Sequence, residues 1–431
     1  MTSNGNKVLL IGISGMDYKI TKGLMAAGKL PTLKRLSEQG SFIKLDTSIP
    51  AEQAVAWTCL STGLNPGKHH LFDTVQRNPL TYLPILVSTK QNDTKKIFKS
   101  KPVWDYIAEA GFYSSVENWL IESSLETNEK IDKTSPDQSF KQMMELETGQ
   151  ENLFWQKYSE FRTQERGFLG FKFDALNQLQ QQFWNDRSIG KETDKIVLNK
   201  VVVDYYEQKD LFLQQIIAKV DDRTILLIVS NHGISSSERS VHLNNWLVEQ
   251  GFMHLTTEVK SRETHFFNGV DWDTTRVYAL GFSSVYLNLE HREGKGIVQD
   301  KEPLLRELIT KLEQIIDPKT GERIIHRVYR KEEIYSGAGL TEAPDLIINF
   351  KPGYQMSWQT AVGGFGSQII EDNAQITGDH LIDYSFIPGV LFSNRKMERL
   401  SAHCLDVAPT ILDWLGIKIP HELDGQSLDQ R

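Results

Sequence analysis

A serine hydroxyl stands at the end of the first apolar stretch of the chain, where ligand chemistry is expected. Residues 8–11 (VLLI) are uncharged and β-rich, as in a strand buried on both faces, and Gly12-Ile13-Ser14-Gly15 follows them. The two glycines allow a tight turn with the backbone close to a ligand. Because open α/β sheets bind ligands at the carboxyl ends of their strands, we expect the Ser14 side chain to face a cleft.

An acid next to a histidine supplies a second candidate for proton transfer. Asp379 precedes His380, and Asp383 follows three residues later. A carboxylate beside an imidazole suits general acid–base chemistry, so we predict that role for His380 and Asp379. A structural histidine, hydrogen-bonded to amides, is equally compatible with the sequence. The two cysteines, Cys59 and Cys404, are too few for a disulfide framework or a thiolate metal site.

Strands alternate with helices along most of the chain. These elements determine where the side chains of Ser14, Asp379 and His380 lie. Apolar runs predict strands, and apolar residues at helical spacing predict the helices between them. Strands are predicted at 41–47, 112–116, 167–173, 224–230, 345–350 and 389–392, and helices at 24–39 (in two parts), 50–62, 103–110, 194–220, 302–316 and 405–415. The alternation predicts an α/β fold with a doubly wound, mostly parallel sheet flanked by helices.

Length and composition point to a globular chain. With 431 residues, of which 39% are hydrophobic, the chain can form one large domain over residues 1–431. We interpret residues 117–165 as an inserted segment over the cleft and residues 239–325 as a second insertion, or cap. The net charge of −8 argues against a nucleic-acid partner. Short apolar runs and the lack of a signal-peptide core predict a cytoplasmic protein without a membrane partner.

Several stretches resemble the alkaline phosphatase superfamily, specifically its type I phosphodiesterase/nucleotide pyrophosphatase branch. They are KVLLIGISGMD (7–17), AWTCLSTGLNPGKHHLFD (56–73), IVSNHGIS (228–235), HLNNWLVEQGF (242–252), DWDTTRVYALGFSSVYLNL (271–289), APDLIINFKPGY (343–354), GVLFSNRKM (389–397) and DVAPTILDWLGIKIP (406–420). They follow the order of the family and run through most of the chain except residues 117–165. The resemblance implies an alkaline phosphatase-like fold with inserted cap segments.

The residue types at the matching positions depart from those of the family, whose members hydrolyse phosphate esters with two metal ions and a Thr or Ser nucleophile. The first-strand Asp falls on Ser14, and the nucleophile falls on Gln53. An Asp and a His four residues apart fall on Asn177 and Gln181. The Asp and His of an Asp-His-Gly stretch, and the final His, fall on Asn231, His232 and His380.

These substitutions predict no dinuclear metal site and no cofactor. Two dications about 4 Å apart repel by roughly 16 kcal/mol at an effective dielectric of 20, and the three carboxylates of the family offset that repulsion. By this assignment none of the three carboxylates remains, and two neutral imidazoles cannot replace their negative charge. A single adventitious metal on His232 and His380 would bind weakly. Gln53 is not a nucleophile, so the covalent phosphoryl mechanism of the family is also predicted to be lost.

Three functions follow from the resemblance and the substitutions. The first is a repurposed, metal-independent enzyme that acts on a small organic molecule in the old phosphate cleft by acid–base chemistry, as in a biosynthetic tailoring step. The second is a non-catalytic pseudoenzyme that binds a ligand or a partner. The third, and least favoured, is a residual phosphodiesterase or nucleotide pyrophosphatase.

The first function assigns catalysis to Ser14, His232, His380 and Asp379. Ser14 and His232 both match ligands of one metal, so without that metal the hydroxyl could hydrogen-bond to the imidazole, as a nucleophile does to its base. The favoured alternative is that Ser14 fills space. The predicted substrate-pocket residues are Gln53, Asn177, Gln181, Asn231 and Glu52. For Glu52, which precedes the start of a helix, capping that helix is the favoured alternative.

Overall fold

A computed structural model gives the arrangement of strands and helices in the chain. The structure describes residues 7–87, 100–119, 136–184, 199–256, 266–373 and 377–429. Its strands are β1 (Lys7–Ile13), β2 (Ser41–Asp46), β3 (Val75–Arg77), β4 (Pro84–Leu86), β5 (Tyr113–Glu117), β6 (Gly167–Phe173), β7 (Thr224–Val229), β8 (Ser235–Val241), β9 (Val277–Ala279), β10 (Ser284–Leu287), β11 (Ile325–Arg330), β12 (Leu346–Phe350), β13 (Gly353–Met356), β14 (Ile370–Asp372), β15 (Gly378–Asp379), β16 (Gly389–Ser393) and β17 (Ala402–His403).

The helices connect these strands, in the alternation that the sequence predicts. They are α1 (Tyr18–Ala26), α2 (Pro31–Gln39), α3 (Gln53–Thr62), α4 (Pro66–His69), α5 (Val103–Glu109), α6 (Pro136–Arg162), α7 (Ala175–Phe183), α8 (Lys200–Ile217), α9 (Leu243–Glu249), α10 (Lys301–Leu312), α11 (Lys331–Ile334), α12 (Trp358–Ala361) and α13 (Val407–Trp414). Short 3₁₀ turns occur at Ala338–Thr341, Tyr384–Phe386 and Cys404–Asp406.

A seven-stranded sheet with the order β17-β2-β16-β7-β1-β6-β5 forms the centre of the fold. Strands β5, β6, β1 and β7 run parallel to one another, whereas β16 is antiparallel to both of its neighbours, β7 and β2. Helices cover both faces, which confirms the predicted α/β class with a doubly wound, mostly parallel sheet. The central strand β1 is buried along its whole length.

The uninterrupted apolar run of β1 follows from its position between two hydrophobic cores. Alternate side chains of a strand point to opposite faces. Accordingly, Leu9 and Ile11 pack into one core with α7 and α8, whereas Val8 and Leu10 pack into the other with α3 and α13. A central parallel strand must be apolar at every position for this reason.

Two smaller sheets and a hydrophobic core of their own lie beyond the central sheet. One has the order β11-β12-β10-β9 and is antiparallel throughout, and the other is built around β8 with β13, β14 and β15. Their shared core contains residues from 241 to 315 together with residues from 324 to 387. Strand β15 belongs to this part of the chain and places Asp379 at the carboxyl edge of the central sheet.

Some predicted elements differ in extent from those in the structure. Within residues 117–165, the part from Pro136 onward is the 27-residue helix α6, which packs against the central sheet through Phe154 and Phe161, whereas residues 120–135 lie outside the described residues. The predicted helix at 302–316 ends at Leu312, and the first residues of the predicted helix at 194–220 lie outside the described residues. Within the described ranges, every helix is too short or too polar to cross a membrane.

Candidate functional site

Three neighbouring strand ends bring polar residues to one edge of the central sheet. Strand β1 pairs in parallel with β6 on one side and with β7 on the other. Continuing both registers beyond the last paired residues places Ser14, Asp174 and Asn231 at the same level. This is the edge at which open α/β sheets bind ligands.

The Ser14 hydroxyl lies at the centre of a hydrogen-bonded group. It donates to Asp174 Oδ1 at 2.5 Å and accepts from Trp57 Nε1 at 3.2 Å and from Gln53 Nε2 at 3.3 Å. Gln53 Nε2 also lies 3.0 Å from Asp174 Oδ1. A hydroxyl has one proton and two lone pairs, so these contacts use its full hydrogen-bonding capacity. Ser14 is fully buried and is held in one orientation.

Lys172 supplies a buried positive charge next to this group. It lies opposite Gly12 in the sheet, and its ammonium forms an ion pair with Asp174 Oδ2. The side chain of Lys172 is 1% exposed, whereas that of Asp174 is 27% exposed. A Cβ atom on Gly12 would lie 2.7 Å from the Trp57 ring and 3.2 Å from Lys172 Cγ. Glycine at position 12 therefore leaves the space that the indole and the lysine stem occupy.

The start of α3 presents two more polar side chains to the site. Glu52 is the N-cap, and its Oε2 accepts from the backbone N–H of Val55 at 3.1 Å, which satisfies a helix N–H that lacks an intrahelical partner. Its Oε1 accepts from the Thr74 hydroxyl at 2.5 Å. Burial raises the pKa of Glu52. Gln53 is then the first residue of the helix, which ends at the left-handed Gly63 (φ 68°).

Two buried histidines stack face to face at the same edge. The ring centroids of His232 and His380 are 4.0 Å apart, and their planes differ by 6°. His232 Nδ1 lies 2.8 Å from the carbonyl oxygen of Gly233, which can only accept, so Nδ1 carries the proton and Nε2 carries a lone pair. Burial lowers the pKa of His232 to about 4, and burial and the neighbouring His232 hold the pKa of His380 well below its ordinary value. Both rings are neutral at pH 7.

Asp379 is the carboxyl group beside this histidine pair. Its Oδ1 accepts the backbone N–H of His380 at 2.7 Å and lies 3.3 Å from His380 Nδ1. Burial, with a smaller contribution from the charge of Glu52, raises the pKa of Asp379 to about 7. A group with this pKa can both give and take a proton near neutrality. Asp383 instead accepts from Ser385 and Asn349.

The structure differs in three details from the residue assignment made from the sequence. The carboxylate that faces Ser14 is Asp174, which is not among the positions matched to the ligands of the family. Asn177 lies against Gly15, and Gln181 contributes a backbone carbonyl that accepts from Thr377 at 2.9 Å. The hydroxyl of Ser14 bonds to the three partners above rather than to His232, whose Nε2 is buried without a hydrogen-bond partner among the described residues.

Sequence reasoning missed Asp174, Lys172 and Trp57. Asp174 follows β6 directly, just as Ser14 follows β1, and Asp174 and Gln178 have the same four-residue spacing as Asn177 and Gln181. A lysine inside the otherwise apolar strand GFLGFKF is a further signal, because a buried lysine requires a partner. The contact of Trp57 with Ser14 has no comparable signal in the sequence.

Buried polar atoms without a hydrogen-bond partner occur around the same residues in the described part of the chain. They are both amide atoms of Asn231, His232 Nε2, His380 Nδ1, Asn177 Oδ1, Gln180 Oε1 and Trp184 Nε1. Leaving one such group unpaired costs about 1–3 kcal/mol. Several unpaired polar atoms at one sheet edge are expected in a site where a polar ligand supplies their hydrogen-bond partners. Across residues 7–87, 100–119, 136–184, 199–256, 266–373 and 377–429, no three His, Cys, Asp or Glu side chains form a group that could hold a metal ion.

Comparison with known proteins agrees with this fold. The family model described as type I phosphodiesterase / nucleotide pyrophosphatase matches residues 8–380. Phosphonoacetate hydrolase from Sinorhizobium meliloti, solved with phosphonoacetate, is similar in structure with a TM-score of 0.60 and 13% identity, over 94% of this chain and 95% of that one. Human ectonucleotide pyrophosphatase/phosphodiesterase 5 is similar with a TM-score of 0.57 and 14% identity, over 97% of both chains.

These matches define the class and then the family. The fold is that of the alkaline phosphatase superfamily, and identities this low carry the fold alone. The chain belongs to the type I phosphodiesterase / nucleotide pyrophosphatase family. No curated protein sequence matches it significantly.

Proposed function

We propose that this protein is a metal-independent member of the family, which binds a small organic molecule at the ends of β1, β6 and β7 and acts on it by acid–base chemistry. The observation that carries the proposal is the ion pair between Lys172 and Asp174. Asp174, the carboxylate that bonds to Ser14, is already neutralised by an internal cation, so it has no free negative charge to offer a metal ion.

The donor set around the strand ends does not fit two dications. Ser14, Gln53 and Asn231 offer neutral oxygens in place of charged ligands, and His232 and His380 offer only neutral nitrogens. A dication about 4 Å from the Lys172 ammonium would be repelled by roughly 8 kcal/mol at an effective dielectric of 20. The protein therefore has to bind and activate its substrate with its own side chains.

Asp379 is the proton-transfer group in this proposal, and His380 lies beside it. The raised pKa of Asp379, about 7, leaves the carboxyl group partly protonated at neutrality, whereas the lowered pKa of His380 keeps its ring neutral, as a hydrogen-bond partner for the substrate. The Asp174 side chain is 27% exposed, so a ligand can reach it, and Ser14 and Gln53 fix its orientation. Lys172 balances its charge throughout.

A second candidate function, ligand binding without catalysis, is favoured by the burial of the same residues. Ser14 and His232 are 0% exposed and His380 is 5% exposed. A ligand would therefore reach these groups only after entering a closed site, as in a protein that senses a small molecule rather than turning it over.

The experiment is untargeted mass spectrometry of a metabolite extract from the source organism, incubated with the protein in the presence of a metal chelator. We expect the wild-type protein and the His421→Gln control, whose ring is on the surface, to consume the same metabolite. The Asp379→Asn and His380→Gln variants are expected to leave it unchanged. If the chelator abolishes turnover, the metal-independent proposal is wrong. If no variant consumes any metabolite but one is retained on the protein, the non-catalytic function replaces the enzymatic one.

A further inference from the structure

We propose that the ligand of this cleft is an amine, bound as an ammonium by hydrogen-bond acceptors at the edge of the sheet. This inference rests on the proposed function and adds the chemical class of the ligand. We refer to the four residues that carry it, Asn231, His232, Gln180 and Asp379, as the acceptor cluster.

The hydrogen-bond state of two members of the cluster is fixed by carbonyl partners. His232 Nδ1 gives its proton to the Gly233 carbonyl at 2.8 Å, so its unpartnered Nε2 is an acceptor. Gln180 Nε2 donates to the Gly15 carbonyl at 2.8 Å, so its unpartnered Oε1 is likewise an acceptor. Both side chains are 0% exposed, and a ligand that satisfies them has to bring N–H or O–H groups.

Asn231 and Asp379 add further acceptor atoms to the cluster. Asn231 is 0% exposed, and its amide presents one acceptor and one donor, both unpartnered. Asp379 lies beside the stacked histidine pair, and the carboxyl group of Glu52 is close enough to repel its charge. An ammonium group placed here would relieve that repulsion and donate up to three hydrogen bonds.

A phosphate ester fits the same atoms poorly. Its oxygens are acceptors, so they cannot pair with His232 Nε2 or Gln180 Oε1. The buried cation beside Ser14 is Lys172, and Asp174 already neutralises it. Burying a phosphate against unpaired acceptors, next to a cation that is already paired, would leave its charge uncompensated. In this proposal a cationic amine therefore takes the place of the anionic phosphate ester that the family binds.

The test uses three probes of small size on the full-length protein: 1,4-diaminobutane, 1,4-butanediol and inorganic phosphate. Carbon-13 labelling of histidine makes the ring signals of His232 and His380 observable by nuclear magnetic resonance. We expect the diamine to shift both signals with millimolar affinity, as a ligand of few atoms allows. Butanediol should bind at least tenfold more weakly, and phosphate should leave the signals unchanged.

Variants locate the binding site. Asp379→Asn should weaken diamine binding by about tenfold or more, since a charged hydrogen-bond partner is lost. Asn231→Leu, which keeps the volume of the side chain, should weaken it severalfold and serves if the first variant fails to fold. Asp273→Asn, at a surface position, is the matched control and should bind as the wild type does.

The outcomes separate this inference from the proposed function. Tighter binding of phosphate or butanediol than of the diamine, or no effect of the diamine on the two histidine signals, overturns the amine proposal and leaves metal independence standing. A protein that binds two metal ions overturns the proposed function whichever probe binds.

Discussion

Replacing Lys172 with methionine tests whether an internal cation holds the cleft together. The change keeps most of the buried stem but removes the ammonium, so Asp174 loses its only charged partner within the group around Ser14. Breaking a buried ion pair by removing one partner typically costs 3–5 kcal/mol. The Asp174 side chain is 27% exposed and retains hydrogen bonds from Ser14 and Gln53. We therefore expect a smaller loss, about 2–3 kcal/mol in the free energy of unfolding.

The single variant Asp174→Asn and the double variant Lys172→Met/Asp174→Asn complete a double-mutant cycle with Lys172→Met. Asp174→Asn leaves a nearly fully buried ammonium without a counter-ion, so we expect it to cost about 3–5 kcal/mol. The double variant Lys172→Met/Asp174→Asn should be more stable than the sum of the two losses predicts, by about 2 kcal/mol.

The assay is denaturant unfolding followed by tryptophan fluorescence, with Lys44→Met as the matched control. Lys44 forms a surface ion pair with Asp46 in which both side chains are partly exposed, so its loss should cost less than about 1 kcal/mol. If Lys172→Met is no more destabilising than Lys44→Met, or if the two changes in the cycle are additive, the cation does not have the role assigned to it.

Two further predictions concern the packing and the titration of the same site. Gly12→Ala should lower the stability by about 1–3 kcal/mol because its Cβ would overlap the Trp57 ring. The control Gly23→Ala, in helix α1, should raise the stability by about 0.5–1 kcal/mol. Equal effects of the two substitutions in thermal unfolding would contradict the packing described here. The pKa of Asp379 is raised to about 7 in the folded protein from 3.8, so its contribution to stability is full below pH 3.8 and is lost as the pH rises through about 7. Between pH 6 and 8 the wild type should therefore lose about 1–2 kcal/mol more than Asp379→Asn, and parallel melting curves for the two proteins would contradict this assignment.

The central sheet could be predicted from the sequence because its signals are local. The apolar run of β1, the strand at 224–230 and the helix that ends at Gly63 each follow from neighbouring residues, and the structure contains all three. Family motifs then supplied the order of the elements and the positions of Ser14, His232 and His380.

The contacts within the site could not be predicted in the same way because they join distant parts of the chain. Ser14 bonds to Asp174, 160 residues later, and the position of a helix start relative to a strand end decides whether Asp174 or Asn177 faces the cleft. Two pairs with the same spacing were available, and the choice depended on tertiary packing. The pairing of Lys172 with Gly12 likewise depends on sheet register, which the sequence of one strand does not specify.

Metal content is the most direct measure of the central claim, that charged ligands and metal ions have been replaced by the ion pair of Lys172 and Asp174. The protein should be purified without chelator, incubated with zinc, passed through a desalting column and analysed by plasma mass spectrometry. We expect zinc, and every other divalent metal, at far below one ion per chain. Two tightly held metal ions per chain would contradict it.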